Sequence, residues 1–248
     1  MPEITSIEMI EKLIAFDTTS RESNLALIAF VQEYLGDLGI DSQLVHNVEG
    51  TKANLYATVG DQGIPGVMLS GHTDVVPVDG QDWHTDPFQM VEKDGKLYGR
   101  GTSDMKSFIA IALAMLPKFQ ARGLKTPLHL AFSYDEEIGC IGVRRLIEKL
   151  NGMPIKPSMC IVGEPTSMQV ITGHKGKRSY NIHVRGFEAH SSLAPHGVNA
   201  IEFAARFIAK LRDIAERIQG EGPFDELYDV THTTVHTGVI SGGTQLNI

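Results

Sequence analysis

Apolar positions recur along this chain with two different spacings, and the alternation between them outlines its architecture. Ile7, Ile10, Leu13 and Ile14 share one helical face behind Thr5-Ser6-Ile7-Glu8, where Thr5 can cap the helix and Glu8 can reach back. That pattern predicts a helix to about Phe16. A second amphipathic helix is expected from about Asn24 to Leu38, stopped by Gly39, followed by extended segments at 43–46 and 54–59 and a turn-rich stretch at 60–66. Three short apolar runs then stand out: Val67-Met68-Leu69, Leu128 to Tyr134, and Met159 to Val162. Helical runs at Phe108 to Leu116 and Gly142 to Leu150 separate them. Strands alternating with helices predict an α/β fold built on a mostly parallel sheet flanked by helices. Beyond residue 175 the pattern changes to an alternating strand at 180–185, an amphipathic helix from Asn199 to about Ile218, and a further strand at 232–240.

Each short apolar run leads into a potential hard ligand. Gly71-His72-Thr73-Asp74 follows the first, Asp135-Glu136-Glu137 the second and Gly163-Glu164-Pro165 the third, while Asp104 stands before the helix at Phe108. In parallel α/β sheets, sites gather outside the carboxyl ends of the strands, so these groups share one edge. Taken alone, His72 and Asp74 read as an ordinary hydrogen-bonded pair and Asp104 as a helix cap. Taken together, one histidine with several carboxylates suits zinc, cobalt or manganese, and two ions about 3.5 to 4 Å apart would account for so many acids. Three consecutive acids crowd like charge, so a positive group is expected beside them. Side chains alternate in extended backbone, which lets Glu136 and Glu137 take different roles. The Pro- and Asp-rich stretch from Val75 to Gly95 is long for a simple connection and reads as a loop lining the site. His46 reads as a surface residue, His84 lies in an aromatic segment with no carboxylate partner at a useful spacing for a ligand, and His129, inside an apolar strand, reads as a core or supporting histidine.

Composition narrows the partners. A hydrophobic content of 42% over 248 residues supports a substantial core. A net charge of −8 argues against nucleic acid or an anionic membrane as the main partner and favours a small molecule. Cys140 and Cys160 are too few for a disulfide framework and read as reduced core residues. No run approaches the roughly 20 apolar residues of a membrane span and no secretory leader precedes the first helix, so a cytoplasmic location is expected.

The sequences Ser70-Gly71-His72-Thr73-Asp74, Gly99-Arg100-Gly101-Thr102-Ser103-Asp104-Met105-Lys106, Asp135-Glu136-Glu137 and Gly163-Glu164-Pro165-Thr166 together resemble the dinuclear zinc aminoacylase and carboxypeptidase family. The resemblance implies a zinc-exopeptidase-like catalytic domain, here 1–174, followed by the first part of an α+β lid and dimerisation domain, here 175–248. It implies two zinc ions, replaceable by cobalt, with His72 and Glu164 on one, Glu137 on the other and Asp104 bridging. Glu136 would be the general base, Asp74 would orient His72, and the peptide after Asp104 would be cis. The implied reaction is hydrolysis of an N-acyl amino acid amide. Gly186-Phe187-Glu188-Ala189-His190-Ser191-Ser192 resembles the family's lid motif, which implies that His190 reaches across a homodimer to the developing oxyanion and that Asn247 contacts substrate. His174, His183 and His196 are expected to be structural or surface residues. Ser107 stands where the family usually has glycine. The family's chain continues past the position of Ile248 and returns to the catalytic domain with a last metal-binding histidine, so the sequence reads as C-terminally truncated.

Overall fold

The computed structural model describes residues 4–248. They form two compact units, the first ending at Thr172 and the second beginning at Gly173; the sequence placed the change two residues later.

The first unit opens with α1 (Ser6–Ile14), and its capping box is complete: Thr5 Oγ1 accepts from the Glu8 amide at 3.2 Å while Thr5 N donates to Glu8 Oε2 at 2.8 Å. Its inward face is Met9, Ile10, Leu13 and Ile14, all buried, so Met9 takes the place that spacing gave to the half-exposed Ile7. Then come α2 (Leu25–Asp37), β1 (Ser42–His46), β2 (Ala53–Val59) and β3 (Val67–His72). The stretch read as irregular ends in the first half of a hairpin, β4 (Val91–Lys93), which pairs with β5 (Lys96–Tyr98) just beyond it and is turned by Asp94 and Gly95 at φ 54° and 69°. Positive φ at both positions matches the twist of a two-residue hairpin, and Asp-Gly is suited to it. The unit closes with α3 (Lys106–Arg122), β6 (Leu128–Ser133), α4 (Val143–Asn151) and β7 (Met159–Val162).

The main sheet runs β1-β2-β6-β3-β7. Its β6-β3-β7 part is parallel, and β2 and β1 extend it antiparallel. Strand periodicity sorts the core into two layers. Leu55 and Ala57 of β2 and Leu130 and Phe132 of β6 join the buried faces of α1, α2 and α3, whereas Tyr56 and Ala131, one residue out of phase, join Leu146 of α4. Burying each large side chain of that first layer contributes about 1.5–3 kcal/mol, so it anchors the sheet. At Gly71 the helix comes close: a Cβ there would stand 2.9 Å from Met105 Cε and 3.0 Å from Ile109 Cγ1. The edge strand β7 is exposed throughout.

In the second unit, Asn199 caps α5 (Ala200–Glu221) by accepting from the amides of Ile201 and Glu202 at 2.9 and 3.3 Å. A 3₁₀ turn spans Ser191–His196, and Phe187 makes one antiparallel bridge with Val198. The segments 180–185 and 232–240, expected as strands, are not strands here. A strand needs a neighbouring ladder, and neither segment has one among the described residues. Both cysteines are exposed rather than in the core: Cys140 lies in the loop after the acidic run and Cys160 on the edge strand. Among the described residues, no helix is long and apolar enough to cross a membrane.

Candidate metal centre

The parallel register sets the site. His72, the last residue of β3, stands opposite Ser133, the last residue of β6, and the turns that follow both strands leave the sheet at the same height. His72 is buried at 2% exposure. Its Nδ1 lies 2.8 Å from the Asp74 carbonyl oxygen, which can only accept, so Nδ1 carries a proton. That leaves Nε2 facing acids: Asp104 Oδ1 at 2.9 Å, Glu164 Oε1 at 3.7 Å and Glu136 Oε2 at 3.9 Å. A bare lone pair beside three carboxylates is repelled, and either a proton or a cation relieves it. Burial works against the proton, but the Asp74 and Glu164 carboxylates outweigh it and push His72 up to about 9. Burial raises the Glu137 carboxyl above its usual range, helped by the nearby Asp104; Glu164 is raised by burial with Asp104 and Glu136 adding to it, although His72 pulls it down.

Four expected ligands and the expected base thus converge in two overlapping groups, His72 with Asp104 and Glu137, and His72 with Glu136 and Glu164, each with donor atoms within 4.8 Å of one another. One imidazole nitrogen and four carboxylates fit a divalent cation by donor chemistry. Asp104 is not a helix cap: α3 begins at Lys106 without a side-chain cap, and Asp104 points to His72. The Asp104-Met105 peptide is cis.

Asp74 works differently from a simple histidine-orienting carboxylate. Its backbone carbonyl holds His72, while its Oδ1 stands 3.5 Å from Nδ1, too far for a good hydrogen bond. The buried carboxylate instead accepts from Ser20 Oγ at 2.8 Å and from the amides of Glu136 and Glu137 at 3.0 and 3.2 Å. Burial opposes its charge, but these bonds and His72 hold it below the usual carboxylate range. Asp74 therefore aims the turn that carries Glu136 and Glu137. In that turn Gly139 and Cys140 amides donate to the Glu136 carbonyl, and Cys140 Sγ lies 3.3 Å from Glu136 Oε1.

The positive group called for by the three acids is Lys52, whose Nζ meets Asp135 Oδ1 at 2.5 Å. Sequence reading passed over Lys52 and Ser20; the like-charge crowding was the only signal, and it gave a sign without a position. Lys106 was missed as well. It is fully buried, donates to the Phe16 carbonyl at 2.7 Å, and burial lowers it to about 7 against the pull of Asp17 and Asp74. Arg100 reaches the loop at 75–95: it lies 5.2 Å from the Trp83 ring centre and donates to Gln81, which also accepts from the Trp83 indole at 3.0 Å.

His190 and Asn247 belong to the second unit. There His190 Nδ1 accepts from the Ser192 amide at 3.2 Å and lies 2.9 Å from Ser192 Oγ, while the Asn247 carbonyl accepts from the Ser191 amide at 2.9 Å. The two residues thus meet at one turn.

Known proteins resemble this chain in sequence and in fold. The family model described as peptidase family M20/M25/M40 matches residues 68–240. An acetylornithine deacetylase of Shigella sonnei is 38% identical over 97% of this chain, which spans 63% of that relative's length. A tripeptidase from Staphylococcus aureus superposes over 99% of this chain and 63% of its own with a TM-score of 0.65 at 19% identity. Human carnosine dipeptidase 1 matches 64% of this chain and 38% of its own with a TM-score of 0.56 at 24% identity. At such identities the two structures speak for the fold, and the family match rests on sequence. The chain belongs to peptidase family M20/M25/M40.

Proposed function

We propose that this chain carries the metal-binding part of an amidohydrolase that releases a free amino group from an N-acyl amino acid, with N-acetylornithine as the substrate and acetate and ornithine as products. The observation that carries the reading is the meeting of His72 Nε2 with Asp104, Glu136, Glu137 and Glu164 at one sheet edge. The 38% identity to an acetylornithine deacetylase supports the choice of substrate. His72 and Glu164 would hold one zinc ion, Glu137 a second, and Asp104 both; cobalt would substitute. Bound cations would acidify a water and polarise the amide carbonyl.

The chain's own groups supply the rest. Glu136 takes the water's proton and returns it to the leaving amine, so that a carboxylate and an amine result. Asp74 fixes the backbone of that turn, and its carbonyl fixes the His72 tautomer. In the second unit, His190 and Asn247 are assigned to the developing oxyanion and to the substrate, with the unit serving as a lid in a cytoplasmic homodimer.

The test is zinc stoichiometry by calorimetry on the intact, metal-stripped protein, followed by hydrolysis of N-acetylornithine, N-succinyl-diaminopimelate and other N-acyl amino acids. Turnover fastest with N-acetylornithine is the expected result. Preference for the succinyl compound, or a broad profile, would make it a desuccinylase or an aminoacylase. Folded protein with excess zinc and no turnover would refute hydrolysis and leave a noncatalytic, dimerising relative with a partial metal site.

A further inference from the structure

Of the three consecutive acids, Asp135 alone turns away from His72. It is nearly buried, and its backbone is held at φ 56°, in the left-handed region that a non-glycine residue adopts only when its surroundings impose it. What it meets is Lys52, in an ion pair whose side chains are 13% and 12% exposed. Lys52 is itself fixed: it lies just ahead of β2, its amide donates to Asn47 Oδ1 at 3.0 Å and its carbonyl accepts from the Asn47 amide at 2.9 Å. The same ammonium donates to the Ser20 carbonyl. Ser20 Oγ in turn donates to Asp74, whose carboxylate receives the amides of Glu136 and Glu137. These bonds close a ring from Lys52 through Asp135 and the acidic turn to Asp74, Ser20 and back to Lys52.

We propose that Lys52 is a positioning residue for Glu136 and Glu137, acting through Asp135 and Ser20. A buried carboxylate that loses its partner must find water, and Asp135 can do so only by leaving its left-handed turn. The next two residues then lose their aim. Neither Lys52 nor Asp135 is among the groups that meet at His72, so the effect falls on the rate of the chemical step rather than on binding. The rate part of the inference rests on the hydrolase reading; the structural part does not.

The experiment compares Lys52→Met, Lys52→Arg, Asp135→Asn and the Lys52→Met/Asp135→Asn double variant in the intact protein. The first readout is amide hydrogen exchange of residues 134–141 without metal or substrate, expected to speed up about tenfold in Lys52→Met and to return toward the parent in Lys52→Arg. The second is hydrolysis, with kcat expected to fall about 10- to 100-fold in Lys52→Met while KM stays within about twofold. The double variant should lose no more than the worse single variant, because both act on one contact. Unchanged exchange, kcat within about twofold of the parent, or losses that multiply in the double variant would overturn the proposal. If the parent hydrolyses no N-acyl amino acid, the hydrolase reading falls and hydrogen exchange alone decides the clamp. Should Lys52→Met fail to fold, Asp135→Asn carries the same comparison, since asparagine keeps the size and tolerates the left-handed backbone.

Discussion

Replacing Asp74 with asparagine changes one oxygen to an amide and tests whether this carboxylate organises the acidic turn. Oδ2 accepts from Ser20 Oγ and the Glu137 amide, and Oδ1 accepts from the Glu136 amide. Asparagine best keeps its oxygen on the side with two donors, which turns its NH₂ toward the Glu136 N–H. One hydrogen bond to a charged acceptor is lost, worth about 1.5–3 kcal/mol, and two donors are left facing each other in a buried place. The expected destabilisation is about 2–4 kcal/mol. With a slope near 2 kcal/mol/M, the urea midpoint should fall by about 1–2 M. Urea unfolding of the metal-free protein, followed by circular dichroism, measures it without any assumption about activity. A loss under about 0.5 kcal/mol, the size of an ordinary surface substitution, would refute the role given to Asp74.

Three further outcomes are expected. Glu136→Ala should cut kcat by about 10²- to 10⁴-fold in a steady-state assay with N-acetylornithine, and near-normal turnover would remove Glu136 as the base. Gly142→Ala would bring a Cβ to 2.2 Å from the Tyr134 carbonyl oxygen, a backbone atom that cannot step aside alone; a loss of about 1–3 kcal/mol in thermal unfolding is expected, and no loss would show that α4 can shift freely. His129, buried at 4% exposure with Tyr56 Oη and Thr58 Oγ1 within 2.8 and 3.0 Å of Nδ1, is held below its usual pKa by burial. Its contribution to stability should be full above about pH 6.5 and lost as pH falls from there through the lowered folded value, because the unfolded chain takes up the proton first. Unfolding midpoints of parent and His129→Gln between pH 7 and pH 5 should converge as pH falls, and parallel curves would contradict it.

The parts of this molecule legible in its sequence are those with a local cause. Thr5 and Glu8 are three residues apart, and the capping box they predict forms. The apolar runs ending at His72, Asp135 and Glu164 are strands followed by acids, and the cluster at their ends was readable because parallel strands deliver their carboxyl ends to one edge. The hairpin at 91–98 was not recognised, although Asp94-Gly95 carried its signal, because neither flank has more than three strand residues. Strand character alone could not place 180–185 or 232–240 in a sheet, since alternation says which side a residue faces and nothing about who pairs with it. The least legible contacts join distant positions through one polar atom each: Lys52 to Asp135, 83 residues apart, and Ser20 to Asp74, 54 apart. Nothing in the neighbourhood of Lys52 distinguishes it from a surface lysine. The cysteines failed for a related reason, because a small apolar residue type suits either an exposed loop or a core.

The close approach of α3 to β3 at Gly71 separates two things that a single connection might have tied together. Met105 and Ile109 rest against Gly71, and Met105 Sδ accepts from the His72 amide at 3.3 Å, so Asp104 is located by packing on the strand rather than by the path from Asp74 onward. That path can lengthen or shorten at the exposed Asp94-Gly95 turn without passing the change to the ligand cluster. Descendants of this sequence are thereby free to remodel the wall of the site by insertion and deletion, and to acquire new preferences in what they admit, while the donor atoms keep their places.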